Sequence, residues 1–248
     1  MSDPMNVGVV GCGSISNTYL SNLNAFQRVR TVACADLNAD RARASANEFS
    51  IPRAVSTEEL LADPEIDIVL NLTTPDAHAS VALAAVRAGK HIYNEKPLTI
   101  ELSDARQLLA EAASRNLRVG CAPDTFLGAG IATCADVLDS GVIGEAVGGA
   151  AFFACPGHES WHPDPEFYYQ RGGGPLFDMG PYYLTALVTL LGPVKRVTGS
   201  ARRSFATRTI TSESKRGQVI KVEVPTHVVA VLDFASGPIV SLMVSFDV

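Results

Sequence analysis

The stretch Val7-Gly8-Val9-Val10-Gly11-Cys12-Gly13-Ser14-Ile15-Ser16 leaves this chain few folds to choose from. Small and β-branched apolar residues run into a glycine turn, and Ile15, Tyr19, Leu20 and Leu23 leave it at helical spacing. A strand, a tight turn and a helix start in that order predict the opening of an α/β domain. Gly11 permits the turn. Gly13 lets a phosphate approach backbone N–H groups at the positive end of the new helix, and Ser14 and Ile15 complete that end. Ser16, where a third glycine would stand, is small enough for close packing of helix on strand. A second apolar run, residues 29–35, ends on Asp36, twenty positions after Ser16. A carboxylate there accepts hydrogen bonds from both hydroxyls of an adenosine ribose and repels a 2′-phosphate, so NAD is expected ahead of NADP. The plain alternative is a glycine turn in some other α/β protein.

The grammar of the first half continues this pattern. Residues 39–49 read as a helix, and Ser56 with Glu59 three places on forms a capping pair for another. Residues 66–72 are almost continuously apolar, as a strand buried on both faces should be. Thr73-Thr74-Pro75-Asp76 breaks that run, and residues 78–88 resume helical spacing. A strand at 91–93, a helix at 101–115 and a strand at 117–121 follow. This alternation predicts a Rossmann-type, doubly wound parallel sheet over residues 1–122. Past Pro123 strands follow one another with little helix between them, at 194–205, 219–224, 227–234 and 239–246. Helices are expected at 130–140 and 175–191. Residues 123–248 therefore read as an α+β domain with a mostly antiparallel or mixed open sheet.

Charge and cysteine use exclude several classes. The net charge is −6, so no basic field draws a nucleic acid. No apolar run reaches membrane-spanning length, and a cytoplasmic location is expected. The five cysteines are scattered and odd in number, which predicts reduced, mostly buried thiols and neither disulfides nor a zinc site.

Two later stretches carry candidate chemistry. Glu95-Lys96-Pro97 follows a predicted strand whose carboxyl end lies where ligands bind in such sheets. A lysine beside a positively charged nicotinamide ring has its pKa pushed down, and can then exchange a proton with a substrate hydroxyl. Pro156 to Arg171 is polar, aromatic and proline-rich, and Trp161, His162, Phe167, Tyr168 and Tyr169 offer flat faces and polar tips suited to a sugar ring. Padding of the domain interface is the equal alternative for these aromatics. His158-Glu159-Ser160-Trp161-His162 spells H-E-x-x-H, but Pro156 and Gly157 before it and Pro163 and Pro165 after it leave no room for the helix a zinc site needs. No metal is expected.

Taken together, Gly11-x-Gly13-x-Ile15-Ser16, Thr74-Pro75 with His78, Ala88-Gly89-Lys90-His91 and Glu95-Lys96-Pro97 resemble the glucose–fructose oxidoreductase / inositol dehydrogenase / MocA (Gfo/Idh/MocA) family. Gly172-Gly173-Gly174-Pro175-Leu176-Phe177-Asp178-Met179-Gly180-Pro181-Tyr182 is similar to that family's second motif, a glycine run followed by D-x-G-x-H. The resemblance spans essentially the whole chain. It implies an NAD-dependent oxidoreductase acting on a secondary alcohol of a sugar, cyclitol or related polyol. Lys96 would be the catalytic lysine and Asp178 its substrate-binding and acid–base partner, with Tyr182 where many members have histidine. Tyrosine can donate a hydrogen bond there, and some members use it, although its ordinary pKa near 10 suits proton exchange less well. The implied cofactor contacts are Gly11, Gly13, Ser14, Ile15, Asp36, Thr73, Pro75, His78, Glu95, Lys96 and Asp124. The implied substrate contacts are Lys96, Asp178 and Tyr182, and the aromatic loop read above adds Trp161 and His162. A rival reading on the same fold is a sensor that binds NAD and a sugar without turnover. Members of the family extend beyond the strand ending at Phe246 and commonly associate through the second sheet. The chain is thus expected to be a homo-oligomer, a natural truncation or a fragment.

Overall fold

The computed structural model describes residues 3–248. They divide into two compact units, one ending at Ala122 and one spanning Pro123–Val248.

The first unit runs β1 (Met5–Val10), α1 (Ser16–Leu23), β2 (Val29–Ala35), α2 (Ala39–Glu48), β3 (Arg53–Ala54), α3 (Thr57–Ala62), β4 (Ile68–Asn71), α4 (Pro75–Arg87), β5 (His91–Glu95), α5 (Leu102–Ser114) and β6 (Val119–Ala122). The strands form one parallel sheet in the order β3-β2-β1-β4-β5-β6. Alternate residues of β1 feed opposite faces, as the two-residue period of a strand demands. Val7 and Val9 pack with Leu20 of α1 and Ala42 and Ala46 of α2. Val10 packs in a second cluster with Leu60 of α3, Ala82, Ala85 and Val86 of α4, and Leu108 and Ala112 of α5. Burial on both faces explains why the strands read as continuous apolar runs.

The caps follow the sequence closely. Ser56 Oγ accepts from the Glu59 amide at 3.1 Å while Glu59 Oε2 accepts from the Ser56 amide at 2.8 Å. Helix α4 starts at Pro75, three residues before the expected start, because proline's fixed φ and missing N–H suit the first helical position. Strand β4 is shorter than the apolar run that predicts it. Ile66 and Leu72 flank it and are buried in the core instead.

The second unit contains α6 (Ala129–Asp139), β7 (Gly148–Ala154), α7 (Pro175–Asp178), α8 (Gly180–Leu191), β8 (Val194–Arg202), β9 (Thr207–Thr209), β10 (Val219–Lys221), β11 (His227–Phe234) and β12 (Ile239–Ser245). Its main sheet has the order β7-β12-β11-β8, antiparallel except for the β7–β12 pair. Val228, Ala230, Leu232 and Phe234 alternate along β11 and pack with Leu184, Leu187 and Leu191 of α8. The single helix expected over 175–191 is two, broken at Met179. Pro181, without an N–H, takes its place in the first turn of α8. The strands expected at 194–205 and 219–224 stop at Arg202 and Lys221. Here β9 and β10 pair with each other in a separate small sheet. Beside it, Tyr169, Ile210, Ile220, Val222 and Phe246 form their own core cluster.

All five cysteines are free, but only Cys12 and Cys34 are buried, and Cys134 is exposed on α6. The expectation of mostly buried thiols is corrected accordingly. No helix of the described residues is long and apolar enough to cross a membrane.

Candidate functional site

Strand order reverses between β1 and β4, and in such sheets ligands bind beyond the carboxyl ends of the strands at that reversal. The candidate residues of the first unit stand at such carboxyl ends. Gly11, Gly13, Ser14 and Ile15 form the turn after β1, Asp36 follows β2, Thr73 and Pro75 follow β4, and Glu95 and Lys96 close β5. Gly11 has φ of +98°, and a Cβ on it would sit 2.7 Å from the Leu72 carbonyl, so only glycine fits. Its amide donates to Ala35 O at 2.8 Å, while Leu72 N donates to Val10 O at 2.8 Å, stitching the turn to both neighbouring strands. The outer side of Gly13 is bare, with no atom within 4 Å of the position a Cβ would occupy. Asp36 is held by two backbone donors, Cys12 N to Oδ2 and Asn38 N to Oδ1, both at 2.8 Å.

Beneath these loops lies a buried polar network. His78, on the first turns of α4, places Nδ1 2.6 Å from Pro97 O and Nε2 3.0 Å from Thr73 O. Asn71 donates to Asn94 Oδ1 at 3.0 Å and to His78 O at 3.2 Å, and Asn94 donates to Leu98 O at 3.1 Å. Thr73 Oγ1 donates to Asn71 Oδ1 at 2.7 Å. His78 is 1% exposed, so its ring ties the loop after β4 to the loop after Lys96 from below. Glu95 is pinned from both sides, accepting from Tyr19 Oη at 2.8 Å and from the Lys96 amide at 2.7 Å. Burial, and then the Glu95 charge, push the neighbouring Cys121 thiol up to about 11, so it carries no thiolate at neutral pH.

In the second unit the glycine run sets the geometry. A Cβ on Gly173 would lie 2.3 Å from Phe167 O, so the 3-10 turn Pro165–Tyr169 packs directly on bare backbone. Gly174 N donates to Tyr168 O at 2.7 Å, and Asp178 N to Gly174 O at 2.9 Å. The same strap therefore holds the aromatic loop and the short helix α7 that carries Asp178. Asp178 Oδ2 lies 3.3 Å from Nε2 of His158. Burial, followed by the charge of Asp178, raises the Tyr168 hydroxyl well above its ordinary range, keeping it a protonated donor. His162 stands edge-on to Tyr168 and Phe167, and its Nδ1 accepts from Asp164 N at 3.0 Å. Burial lowers the His162 pKa. Trp161 is exposed, with its ring edge-on to His158. Asp124 is exposed before the 3-10 turn Thr125–Leu127. Residues 158–162 make a single turn, with His162 N donating to His158 O, and no group of three or more metal-ligating side chains occurs among the described residues.

Two family profiles cover nearly the whole chain. Residues 5–122 match the oxidoreductase family NAD-binding Rossmann fold, and residues 131–248 match the GFO/IDH/MocA C-terminal domain. The chain belongs to the Gfo/Idh/MocA oxidoreductase family. Its relatives include the 1,5-anhydro-D-fructose reductase of Ensifer adhaerens, 32% identical over 69% of this chain and 52% of that protein. Another is the dTDP-3,4-didehydro-2,6-dideoxy-alpha-D-glucose 3-reductase of Actinomadura kijaniata, 33% identical over 82% of this chain and 60% of that one. The chain thus spans between half and three-fifths of the length of these two relatives. Levoglucosan dehydrogenase, solved with NADH and L-sorbose, superposes with a TM-score of 0.86 over 98% of this chain and 68% of its own, at 22% identity. That likeness speaks to the fold.

The matched family profile is that of an NAD-binding Rossmann fold, and the residues of the first unit fit a nicotinamide dinucleotide. The bare side of Gly13 leaves room for a pyrophosphate, and Asp36 is held by amides at the end of β2. Sequence reasoning weighed His158 only as part of a zinc motif. Its approach to Asp178 spans twenty residues of chain and has no local signal.

Proposed function

We propose that this chain is an NAD-dependent oxidoreductase acting on a secondary alcohol of a sugar, cyclitol or related polyol. The observation that carries this reading is the gathering of Gly11, Asp36, Thr73 and Lys96 at the carboxyl ends of four parallel strands around the reversal in strand order. Relatives named for sugar chemistry support the substrate class. The first unit is the NAD-binding domain and the second the substrate and oligomerisation domain. Gly13, Ser14 and Ile15 present backbone N–H groups to the pyrophosphate, and Asp36 accepts from the ribose hydroxyls, favouring NAD over NADP. Thr73, Pro75, Glu95 and Asp124 are further cofactor contacts, and His78 supports them from beneath. NAD, when bound, supplies the hydride acceptor. Lys96 takes or returns the proton of the substrate hydroxyl, Asp178 and Tyr182 hold that substrate, and Trp161 and His162 flank it.

Two wider proposals follow. The main sheet of the second unit leaves Phe152, Val197, Val229, Val231 and Ile239 exposed, which supports self-association through that sheet. The net charge of −6 supports a protein without nucleic-acid partners, and we place it in the cytoplasm.

The test is titration with NADH and NADPH, followed by nicotinamide absorbance across a panel of sugars and cyclitols with wild type and Lys96→Ala. Turnover by wild type, lost in Lys96→Ala with NADH affinity retained, is the expected result. Equal turnover in both removes Lys96 from the chemistry. Tight NADH binding without turnover on any panel member replaces the enzyme with a sensor.

A further inference from the structure

His158 is 8% exposed, yet neither ring nitrogen has a hydrogen-bond partner within the protein. Its Nε2 is 3.3 Å from Asp178 Oδ2, close enough for ion pairing but outside the alignment of a hydrogen bond. Burying an imidazole without using its nitrogens is unfavourable, and proteins rarely retain such a group without a function. The ring is also held firmly. Tyr168 lies 4.1 Å away between centroids and Phe246 4.6 Å. The His158 amide donates to the Tyr169 hydroxyl at 3.2 Å. That hydroxyl bonds Glu159, which is fixed in turn by Arg208 at 2.8 Å. A side chain this constrained is oriented in advance, as binding groups need to be.

We infer that His158 and Asp178 together form a two-pronged site for a vicinal diol of the substrate, the imidazole coming from the 156–162 loop and not from position 182. This deepens, and rests on, the polyol reading above. The separation of Nε2 and Oδ2 is comparable to that of two gauche hydroxyl oxygens on adjacent ring carbons. Asp178 accepts from one hydroxyl, while the imidazole donates to or accepts from its neighbour. Tyr168, kept protonated by burial, and the face of Trp161 bound the same surroundings with a donor and an apolar wall. The ligand selected is a sugar or cyclitol with two free adjacent hydroxyls.

The test uses the full chain with NAD and myo-inositol, L-sorbose and D-glucose, each beside its monodeoxy analogues. Wild type should prefer a parent polyol over one monodeoxy analogue by at least about tenfold in kcat/KM. In His158→Ala that preference should collapse to under about threefold while NADH affinity stays within about twofold of wild type, with His158→Gln intermediate. An undiminished preference in His158→Ala overturns the inference. In parallel, wild type with labelled histidine is titrated with the same three polyols, and the His158 ring resonances should move in wild type but not in Asp178→Asn. If no ring shift occurs with any polyol, the inference fails even where the Ala variant does not fold. If ring shifts occur without turnover, the diol site stands and the enzymatic reading fails.

Discussion

Tyr19 donates its phenolic hydroxyl to Oε1 of Glu95 at 2.8 Å, fastening helix α1 to the residue before Lys96. The bond joins positions far apart in the chain, and it couples the glycine turn to the end of β5. Tyr19→Phe keeps the ring and removes one donor from a carboxylate. The expected outcome is a stability loss of about 1 kcal/mol and a turnover loss larger than any change in NADH affinity. Thermal melts and steady-state kinetics on the one variant check both. Unchanged kcat would mean that Glu95 needs no such support.

The ring of His78 is a brace between two loops. His78→Ala leaves the Thr73 and Pro97 carbonyl oxygens without their present ring partners in a largely buried region, while the His78 carbonyl that Asn71 bonds is retained. Each buried group left unpaired costs about 1–3 kcal/mol, so a marked fall in melting temperature and weaker NADH binding are expected. Denaturant titration and NADH fluorescence measure them. A change in NADH affinity with no loss of stability would instead place the ring in direct contact with the cofactor.

Cofactor choice should turn on Asp36. Its carboxylate is fixed by the Cys12 and Asn38 amides, and the Arg41 guanidinium stands 3.8 Å from Oδ2. Asp36→Ser removes the charge that repels a 2′-phosphate and leaves Arg41 to attract one. The NADPH-to-NADH affinity ratio is expected to rise at least about tenfold. Isothermal titration with both nucleotides reads it directly, and an unmoved ratio would exclude Asp36 from discrimination.

Acid stability carries a local signature. Arg87 on α4 grips Glu111 on α5 with two bonds of 2.9 and 2.7 Å. That pairing, aided by Gln107, holds the Glu111 carboxyl at about 2, against about 4.3 in an unfolded chain. A depressed carboxylate stabilises the fold above its unfolded pKa, and the contribution fades as pH falls towards the folded value. Glu111→Gln should therefore be less stable than wild type by a modest, solvent-screened amount at neutrality, and that difference should close as pH falls from about 4.3 to about 2, flattening the profile there. Chemical denaturation across that range tests the sign.

Much of this protein is written locally. The glycine turn, the Ser56–Glu59 capping pair and the alternation of strand and helix each involve residues within a few positions of one another, so the parallel sheet and its candidate cofactor residues are legible in the sequence alone. The second motif was equally legible as a pattern. Its break at Met179 was not, because proline and glycine chemistry allows several ways to divide such a helix. Only tertiary structure decided that β7 pairs in parallel with β12, that His78 braces Thr73 against Pro97, and that His158 lies beside Asp178. Those relationships join residues brought together by packing of the whole unit, and no spacing along the chain encodes which buried nitrogen meets which oxygen.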